Sequence, residues 1–186
     1  MRGLARFLML FPLVTLAACA GEAQMPPDTR EVSMTLSISS TAFSAGQPIP
    51  TIYTCLGKGS SPPLAWSGAP GGTKSFALIM DDPDAPMGTF VHWVIYNIPA
   101  ASSSLPEAAA GIANPADGSV QGKNGAGRLG YTGPCPPSGT HRYFFKLYAL
   151  DQDLKLKEGI TKRQLESAMQ RHIVDQAELI GLYKRG

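Results

Sequence analysis

Apolar and polar positions form four segments whose patterns predict β-strands. Residues 32–40 alternate apolar and polar side chains, as a strand with one buried face does. Residues 75–80 and 90–98 are almost wholly apolar, which indicates strands that are covered on both faces. Residues 141–150 form a fourth strand that is rich in aromatic side chains. Turns rich in glycine and proline separate these segments, so the pattern predicts a mainly β domain.

One segment near the C-terminus has the periodicity of a helix. Thr161 and Gln164 have the spacing of a capping box, which marks a helix N-terminus. The positions that then fall on one helical face are Leu165, Ala168, Met169, His172, Ile173 and Ala177. Residues 102–127, in contrast, are rich in Ala, Gly and Ser without clear periodicity. We expect that segment to be a long surface excursion of the kind that often frames a site.

The N-terminal residues have the features of an export signal. Arg2 and Arg6 precede the apolar run 7–18, which is too short to span a membrane. The run ends in LAAC, which is similar to the lipobox of a bacterial lipoprotein, with Cys19 as the lipidated residue. An ordinary signal peptide followed by a chance cysteine is the alternative.

This interpretation divides the chain into three parts and gives it a location. The parts are a signal peptide over 1–18, a lipidated cysteine and flexible tether over 19–31, and the folded domain over 32–186. Several acyl chains on one cysteine would anchor the protein stably to a membrane. We expect the cell envelope of a bacterium, with the anchor in the outer membrane and the domain facing the periplasm.

The charge of the processed chain excludes one class of partner. The full sequence has 16 basic and 14 acidic side chains. Removal of Arg2 and Arg6 with the signal leaves 14 of each, so the mature protein is formally neutral. Without a cationic surface there is nothing to attract a phosphate backbone, and we expect no binding of nucleic acid.

Two cysteines remain once Cys19 is assigned to the lipid. Cys55 and Cys135 form an even pair in a chain that is predicted to be exported, where disulfides persist. A disulfide between them is the favoured interpretation, and two buried thiols are the alternative.

An acidic turn follows the apolar strand 75–80. Residues 81–86 read DDPDAP, and the prolines give this segment a stiff path away from the sheet. Strand alternation places Leu78, Met80 and Asp82 on one face. The bond between Asp82 and Pro83 is a candidate for a cis peptide in a rigid functional turn. A solvated acidic turn without function is the alternative.

A histidine within an apolar strand is the second candidate for chemistry. His92 lies in the segment 90–98, where alternation places it on the face of Val94 and Tyr96. A core histidine with its hydrogen bonds satisfied is the alternative.

A loop rich in glycine and proline leads into the last predicted strand. Residues 130–140 could present backbone N–H groups to an anion. His141 and Tyr143 follow on one strand face and would add two polar donors. A tight turn before a core strand is the alternative.

Together these segments resemble a known family. The order DDPDAP, then VHW, then GPCPP and HRY resembles the signature of the phosphatidylethanolamine-binding protein family, in its bacterial and archaeal branch of Raf-kinase-inhibitor-like proteins. The resemblance extends from about residue 34 to residue 184. It implies a β-sandwich of two sheets with a C-terminal helix and few other short helices.

The resemblance also implies a small pocket that takes phosphate, acetate, cacodylate or a phospholipid headgroup. Matched position by position, its ligand-binding residues are Asp82, Asp84, Pro86, His92, Gly133, Pro134, His141 and Tyr143. Backbone groups near Gly133 would bind the anion together with His92 and Tyr143, while Asp82 would hold an imidazole in its useful tautomer or charge state. The residues that would brace or shape the wall are Asp84, His141 and Pro86.

We therefore expect binding without catalysis and without a cofactor. The sequence contains none of the usual motifs of serine hydrolases, P-loop enzymes, zinc peptidases or dinucleotide-binding enzymes. Two alternatives concern the same residues, since a His–Asp pair can act as a general base and His92, His141 and Asp82 could ligate a metal. A third is an interaction module, because the family resemblance includes inhibitors of serine carboxypeptidases and of kinases. Its partner in the periplasm would be a protease.

Overall fold

The computed structural model describes residues 35–111 and 117–186, which form two antiparallel sheets. The smaller sheet has the order β1-β2-β5 and the larger has the order β6-β4-β3-β7-β8. The strands are β1 (Ser37–Ser39), β2 (Leu64–Ser67), β3 (Ser75–Asp82), β4 (Phe90–Pro99), β5 (Ser104–Leu105), β6 (Val120–Gln121), β7 (Thr140–Leu150) and β8 (Ile173–Lys184). The helical elements are the short 3-10 helices Thr51–Tyr53 and Ala109–Gly111 and the helix α1 (Lys162–Met169). This architecture confirms the predicted fold class.

The apolar strands lie at the centre of the larger sheet, with a core layer on each face. Every residue of β3 is buried. Leu78 and Met80 belong to the layer between the two sheets. Ala77 and Ile79 belong to a second layer, which Leu165 of α1 covers. Two covered faces explain why β3 reads as a continuous apolar run rather than an alternating one.

Helix α1 begins as predicted and ends earlier than predicted. Thr161 and Gln164 form the capping box by reciprocal hydrogen bonds. The helix ends at Met169, and β8 pairs with β7 along its length, so the extension of the helical face to His172, Ile173 and Ala177 is wrong. The pairing with β7 overrides the helical spacing of the apolar side chains.

Two other expectations are affected by the described structure. The excursion at 102–127 contains strands β5 and β6, which pair with β2 and β4 respectively, so it is not wholly irregular. Of the strand predicted at 32–40, the structure shows β1 at Ser37–Ser39. The predicted signal peptide, Cys19 and the predicted tether lie outside the described residues. No helix in the described part of the chain is long and apolar enough to cross a membrane.

A disulfide joins two loops that are distant in the sequence. Cys55 and Cys135 are bonded, with their Cα atoms 5.4 Å apart. The backbone N–H of Cys55 also donates to the carbonyl of Pro134 at 3.1 Å. The loop that follows the first 3-10 helix is therefore fixed to the loop that precedes β7.

We expect this disulfide to stabilise the domain. The double variant Cys55→Ser, Cys135→Ser should lower the free energy of unfolding by roughly 2–4 kcal/mol, since the bond restricts the unfolded chain. Urea denaturation monitored by tryptophan fluorescence measures this loss. Wild-type protein with reductant should unfold at the urea concentration found for the variant, and an unchanged midpoint in both cases would contradict the prediction.

Candidate functional site

A cavity of about 230 Å³ lies where the acidic turn, strand β4 and the loop before β7 meet. Three of the segments that the sequence singled out are thus brought together. The residues that line the cavity are Asp82, Ala85, Phe90, His92, Thr132, Gly133, Cys135, Pro136, Pro137 and His141. A larger depression of about 360 Å³ lies beside Lys146 and Glu178, away from these segments. Of these two cavities in the described part of the chain, the first combines imidazoles with a turn of backbone donors, and we take it as the candidate site.

A β-bulge turns His92 into this cavity. Met80 pairs with Trp93 while Asp81 pairs with Val91, so His92 is an extra residue in β4. Its ring packs against the edge of Tyr143, with the centroids 5.2 Å apart.

The bulge overturns the face that strict alternation predicted for His92. Val94 and Tyr96 belong to the core layer beneath α1. His92 instead lies on the side of Tyr143, which belongs to the layer between the sheets. The placement of His92 with Val94 and Tyr96 is therefore wrong, because the inserted residue shifts the alternation of the strand.

The hydrogen bond of His92 fixes its tautomer. Nδ1 lies 2.6 Å from the carbonyl oxygen of Thr132, which can only accept, so Nδ1 carries the hydrogen. Nε2 makes no hydrogen bond to the described residues, and it remains for a ligand. Burial lowers the pKa of His92 below its ordinary value, although the bond to Thr132 and the carboxylates of Asp82 and Asp81 oppose that shift. The free ring is therefore neutral at pH 7.

A second imidazole is held by Asp82. Nδ1 of His141 lies 2.7 Å from Oδ2 of Asp82, and Oδ1 of the same carboxylate accepts the backbone N–H of Asp84 at 2.8 Å. Both Asp82 and His141 are buried. The carboxylate thus orients His141, and Nε2 of His141 makes no hydrogen bond within the described part of the chain.

Tyr143 lies beneath His92 and keeps an unpaired hydroxyl. The side chain is fully buried, and its hydroxyl has no partner of hydrogen-bonding geometry among the described residues. Burial raises the pKa of Tyr143, and the nearby Asp82 carboxylate raises it further. The phenol therefore stays protonated over the physiological range, and it lies behind His92 without lining the cavity.

The loop before β7 contributes backbone N–H groups. Proline occupies positions 134, 136 and 137, so few donors remain. The N–H groups of Gly133 and Cys135 bond to no described residue. Gly133 is required by packing: a Cβ there would lie 2.8 Å from the carbonyl carbon of Thr54. The glycine therefore allows the loop before β7 to approach the backbone of Thr54, which precedes the disulfide-bonded Cys55.

Four of the eight predicted ligand-binding residues do not line the cavity: Tyr143, which packs behind His92, and three others. Asp84 faces Arg142, accepting its backbone N–H at 2.9 Å and two guanidinium hydrogen bonds at 2.9 and 2.7 Å. These bonds lower the pKa of Asp84 to about 2. Pro86 is exposed, and Ala85 takes the place in the wall that Pro86 was expected to occupy. Pro134 is buried, and its carbonyl accepts from Cys55.

The predicted cis bond before Pro83 is wrong, since every peptide bond in the described residues is trans. The turn gains its shape instead from the carboxylate of Asp82, which accepts the N–H of Asp84 two residues on.

Sequence reasoning missed part of the wall. The lining residues without an earlier assignment to the site are Ala85, Phe90, Thr132, Cys135, Pro136 and Pro137. All of them lie within or next to the three motifs. This proximity in the sequence is the feature from which their place in the wall could have been predicted. The metal alternative gains no support, because no group of three His, Cys, Asp or Glu side chains in the described residues could hold a metal ion.

Comparison with known proteins identifies the family. The family model described as phosphatidylethanolamine-binding protein matches residues 39–184. A protein of Methanothermobacter thermautotrophicus named UPF0098 is 53% identical over 151 residues, which are 81% of this chain and all of that protein. A UPF0098 protein of Aquifex aeolicus is 49% identical, covering 81% of this chain and 89% of its own length.

Solved structures agree with this result. The crystal structure of CT736 from Chlamydia trachomatis, described as a phosphatidylethanolamine-binding protein homologue, has a TM-score of 0.76 and 45% identity, covering 83% of this chain and all of that one. The structure of YbcL from E. coli, described as a new member of the mammalian PEBP family, has a TM-score of 0.76 and 34% identity, covering 81% and 99%. The chain belongs to the phosphatidylethanolamine-binding protein family.

Proposed function

We propose that this domain binds a small oxyanion, such as phosphate or the phosphate of a phospholipid headgroup, and performs no catalysis. The observation that carries the proposal is that His92 and His141 line one cavity, each with Nδ1 already bonded within the protein. Each ring therefore has only Nε2 to offer a ligand. When protonated, such a nitrogen forms a charge-assisted hydrogen bond to an anion.

The size and lining of the cavity support a small ligand. Its volume of about 230 Å³ lies below the range of roughly 300–1,000 Å³ that is common for drug-sized ligands. The ring of Phe90 and the prolines of the loop form apolar walls around the polar groups. A phosphate with a short organic substituent suits this combination, whereas the acyl chains of a lipid would remain outside.

The absence of catalysis is proposed from the bonding of the imidazoles. An imidazole that activates a nucleophile hydrogen-bonds to a hydroxyl or thiol. Nδ1 of His92 bonds to a backbone carbonyl, and Nδ1 of His141 bonds to a carboxylate. No described serine, threonine or tyrosine hydroxyl bonds to either ring, and the sulfur of Cys135 is held in the disulfide.

Anion binding should strengthen as the pH falls. Burial lowers the pKa of His92, with Asp82 and Asp81 opposing this shift and His141 adding to it, and a bound anion would raise the pKa again. Binding then takes up a proton, so affinity for sulfate, whose own charge is constant, should rise by up to about tenfold per pH unit as the pH falls from the pKa of the anion-bound ring to the lower pKa of the free ring. NMR titration at pH 5.5 and 7.5 measures it, and affinities near millimolar are expected for so small a ligand.

Variants of the histidines provide the control for this prediction. His92→Asn keeps an N–H for the carbonyl of Thr132 and removes Nε2, so it should weaken sulfate binding and flatten its pH profile. His172→Asn serves as the matched control, because His172 pairs with Asp151 at 2.8 Å and lies outside the cavity. A wild-type protein without sulfate binding, or an unchanged profile in His92→Asn, would remove the proposed role.

We further propose that the domain is anchored to the bacterial envelope through Cys19, facing the periplasm. The support is the sequence of residues 1–19, with its basic start, short apolar run and terminal LAAC. Radiolabelled palmitate should be incorporated into the wild-type protein in a Gram-negative host. Cys19→Ser should abolish the label and leave the signal peptide attached, whereas equal labelling of both proteins would refute the anchor.

Exposed apolar side chains beside the cavity favour a second candidate function, the inhibition of a periplasmic protease. Leu56 follows the cysteine bonded to Cys135 of the cavity wall, and Met87 lies two residues beyond Ala85 of that wall. Leu56 is 54% exposed and Met87 is 101% exposed. Exposed apolar side chains next to a binding site are typical of contacts with a protein partner.

This candidate predicts that the domain lowers peptide hydrolysis by a periplasmic extract. The double variant Leu56→Glu, Met87→Glu should lose the inhibition and keep sulfate binding. Val174→Glu is the control, since Val174 is 44% exposed and lies at the end of β8 that pairs far from His141. Equal inhibition by all three proteins, or none by the wild type, would contradict a protease-binding rim.

A further inference from the structure

A buried asparagine outside the recognised motifs organises the wall behind His92. Asn124 is 6% exposed. Its Oδ1 lies 3.0 Å from the backbone nitrogen of Ala126 and 3.1 Å from that of Arg128. Because a backbone N–H can only donate, Oδ1 must be the acceptor in both contacts. These two bonds fix the orientation of the amide, which cannot flip without losing both.

The fixed amide determines the polarity of a neighbouring hydroxyl. Nδ2 of Asn124 lies 2.8 Å from Oγ1 of Thr132 and 3.1 Å from the carbonyl oxygen of Gly130. An amide NH₂ group has no acceptor lone pair to offer, so Oγ1 of Thr132 accepts in this contact. The hydroxyl hydrogen of Thr132 therefore points elsewhere, and no described residue accepts it.

Thr132 lies where its hydroxyl hydrogen could contact a ligand. Thr132 lines the candidate cavity, next to Gly133 with its unpaired backbone N–H. Its own carbonyl and N–H are both bonded to His92, at 2.6 and 2.8 Å, so the backbone of the residue is held in place. The backbone of Thr132 is thus fixed, and its Oγ1 already accepts a hydrogen bond. The hydroxyl can therefore act as a donor at the cavity wall.

We propose that the Thr132 hydroxyl is a ligand-contacting donor for the oxyanion and that Asn124 is the positioning residue that sets its polarity. The inference rests on the proposed anion binding and adds a specificity-determining pair to it. A neutral hydroxyl donor differs from the imidazoles in one respect, because it does not titrate. Thr132, like the backbone N–H groups of Gly133 and Cys135, therefore contributes a part of the affinity that does not depend on the protonation of His92.

The first experiment removes the donor alone. Thr132→Val is nearly isosteric, and it should weaken binding of sulfate and of inorganic phosphate roughly tenfold, as expected for one hydrogen bond to a charged acceptor. The factor should be equal at pH 5.5 and pH 8. Thr132→Ser should retain wild-type affinity. Thr73→Val is the matched control, since the hydroxyl of Thr73 donates to the carbonyl of Pro70 in a distant turn.

The second experiment reverses the polarity and keeps the hydroxyl. Asn124→Asp preserves an acceptor for Ala126 and Arg128 and places a second oxygen against Thr132, which would capture the hydroxyl hydrogen. Because the new charge also repels an anion, the variant is compared in a double-mutant cycle with Thr132→Val. The loss caused by Asn124→Asp should be smaller in the Thr132→Val background, and thermal unfolding establishes that each variant is folded.

The outcomes separate this inference from the proposed function. If the wild type binds sulfate and His92→Asn weakens it, but Thr132→Val binds as tightly as the wild type, the donor role of Thr132 is wrong and anion binding stands. Additive losses in the cycle would refute the positioning role of Asn124. A wild type without affinity for either anion overturns the proposed function and this inference with it.

Discussion

The alternation of two successive carboxylates at the end of β3 is the constraint on which the site depends. Asp81 points to the layer beneath α1, where the ammonium groups of Lys146 and Lys162 contact it, while Asp82 points to the cavity and holds His141. Both aspartates are buried, and burial of a carboxylate is tolerated only when charged or polar partners compensate it. One strand end therefore fixes helix α1 on one face and an imidazole on the other.

The opposite wall is held by restraints that are independent of the sheet. The disulfide, the bond from Cys55 to Pro134 and the contact of Gly133 with Thr54 all fix the loop before β7 to the loop after the first 3-10 helix. Prolines remove backbone donors from this loop, so the N–H groups of Gly133 and Cys135 are prominent there. A loop restrained on one side can present its donors to a ligand with little loss of conformational entropy on binding.

The polarity of the site follows from which atoms are already bonded. Asp82 accepts the Nδ1 hydrogen of His141, and the carbonyl of Thr132 accepts that of His92. Asn124 donates to the hydroxyl oxygen of Thr132. The groups of the cavity wall that remain unbonded among the described residues are two Nε2 atoms, the hydroxyl hydrogen of Thr132 and the backbone N–H groups of Gly133 and Cys135. This set is compatible with an oxyanion and sensitive to pH, since Nε2 of His92 becomes a donor only when that ring is protonated.

The sequence alone determined the mainly β class and the capping box of α1, because both rest on local patterns: strand alternation, turn residues and cap spacing. It determined the faces of Asp82, His141 and Tyr143 for the same reason. The two-sheet architecture and the joining of three segments into one site were implied by the resemblance of those segments to the family. Only the tertiary structure decided the face of His92, because an inserted residue in β4 is set by pairing with β3 and leaves no mark in the alternation. Pairing with β7 likewise decided that residues 173–184 are a strand. Three further contacts join different segments of the chain, and periodicity cannot reveal them. They are those of Asp84 with Arg142, of Gly133 with Thr54 and of Asn124 with Thr132.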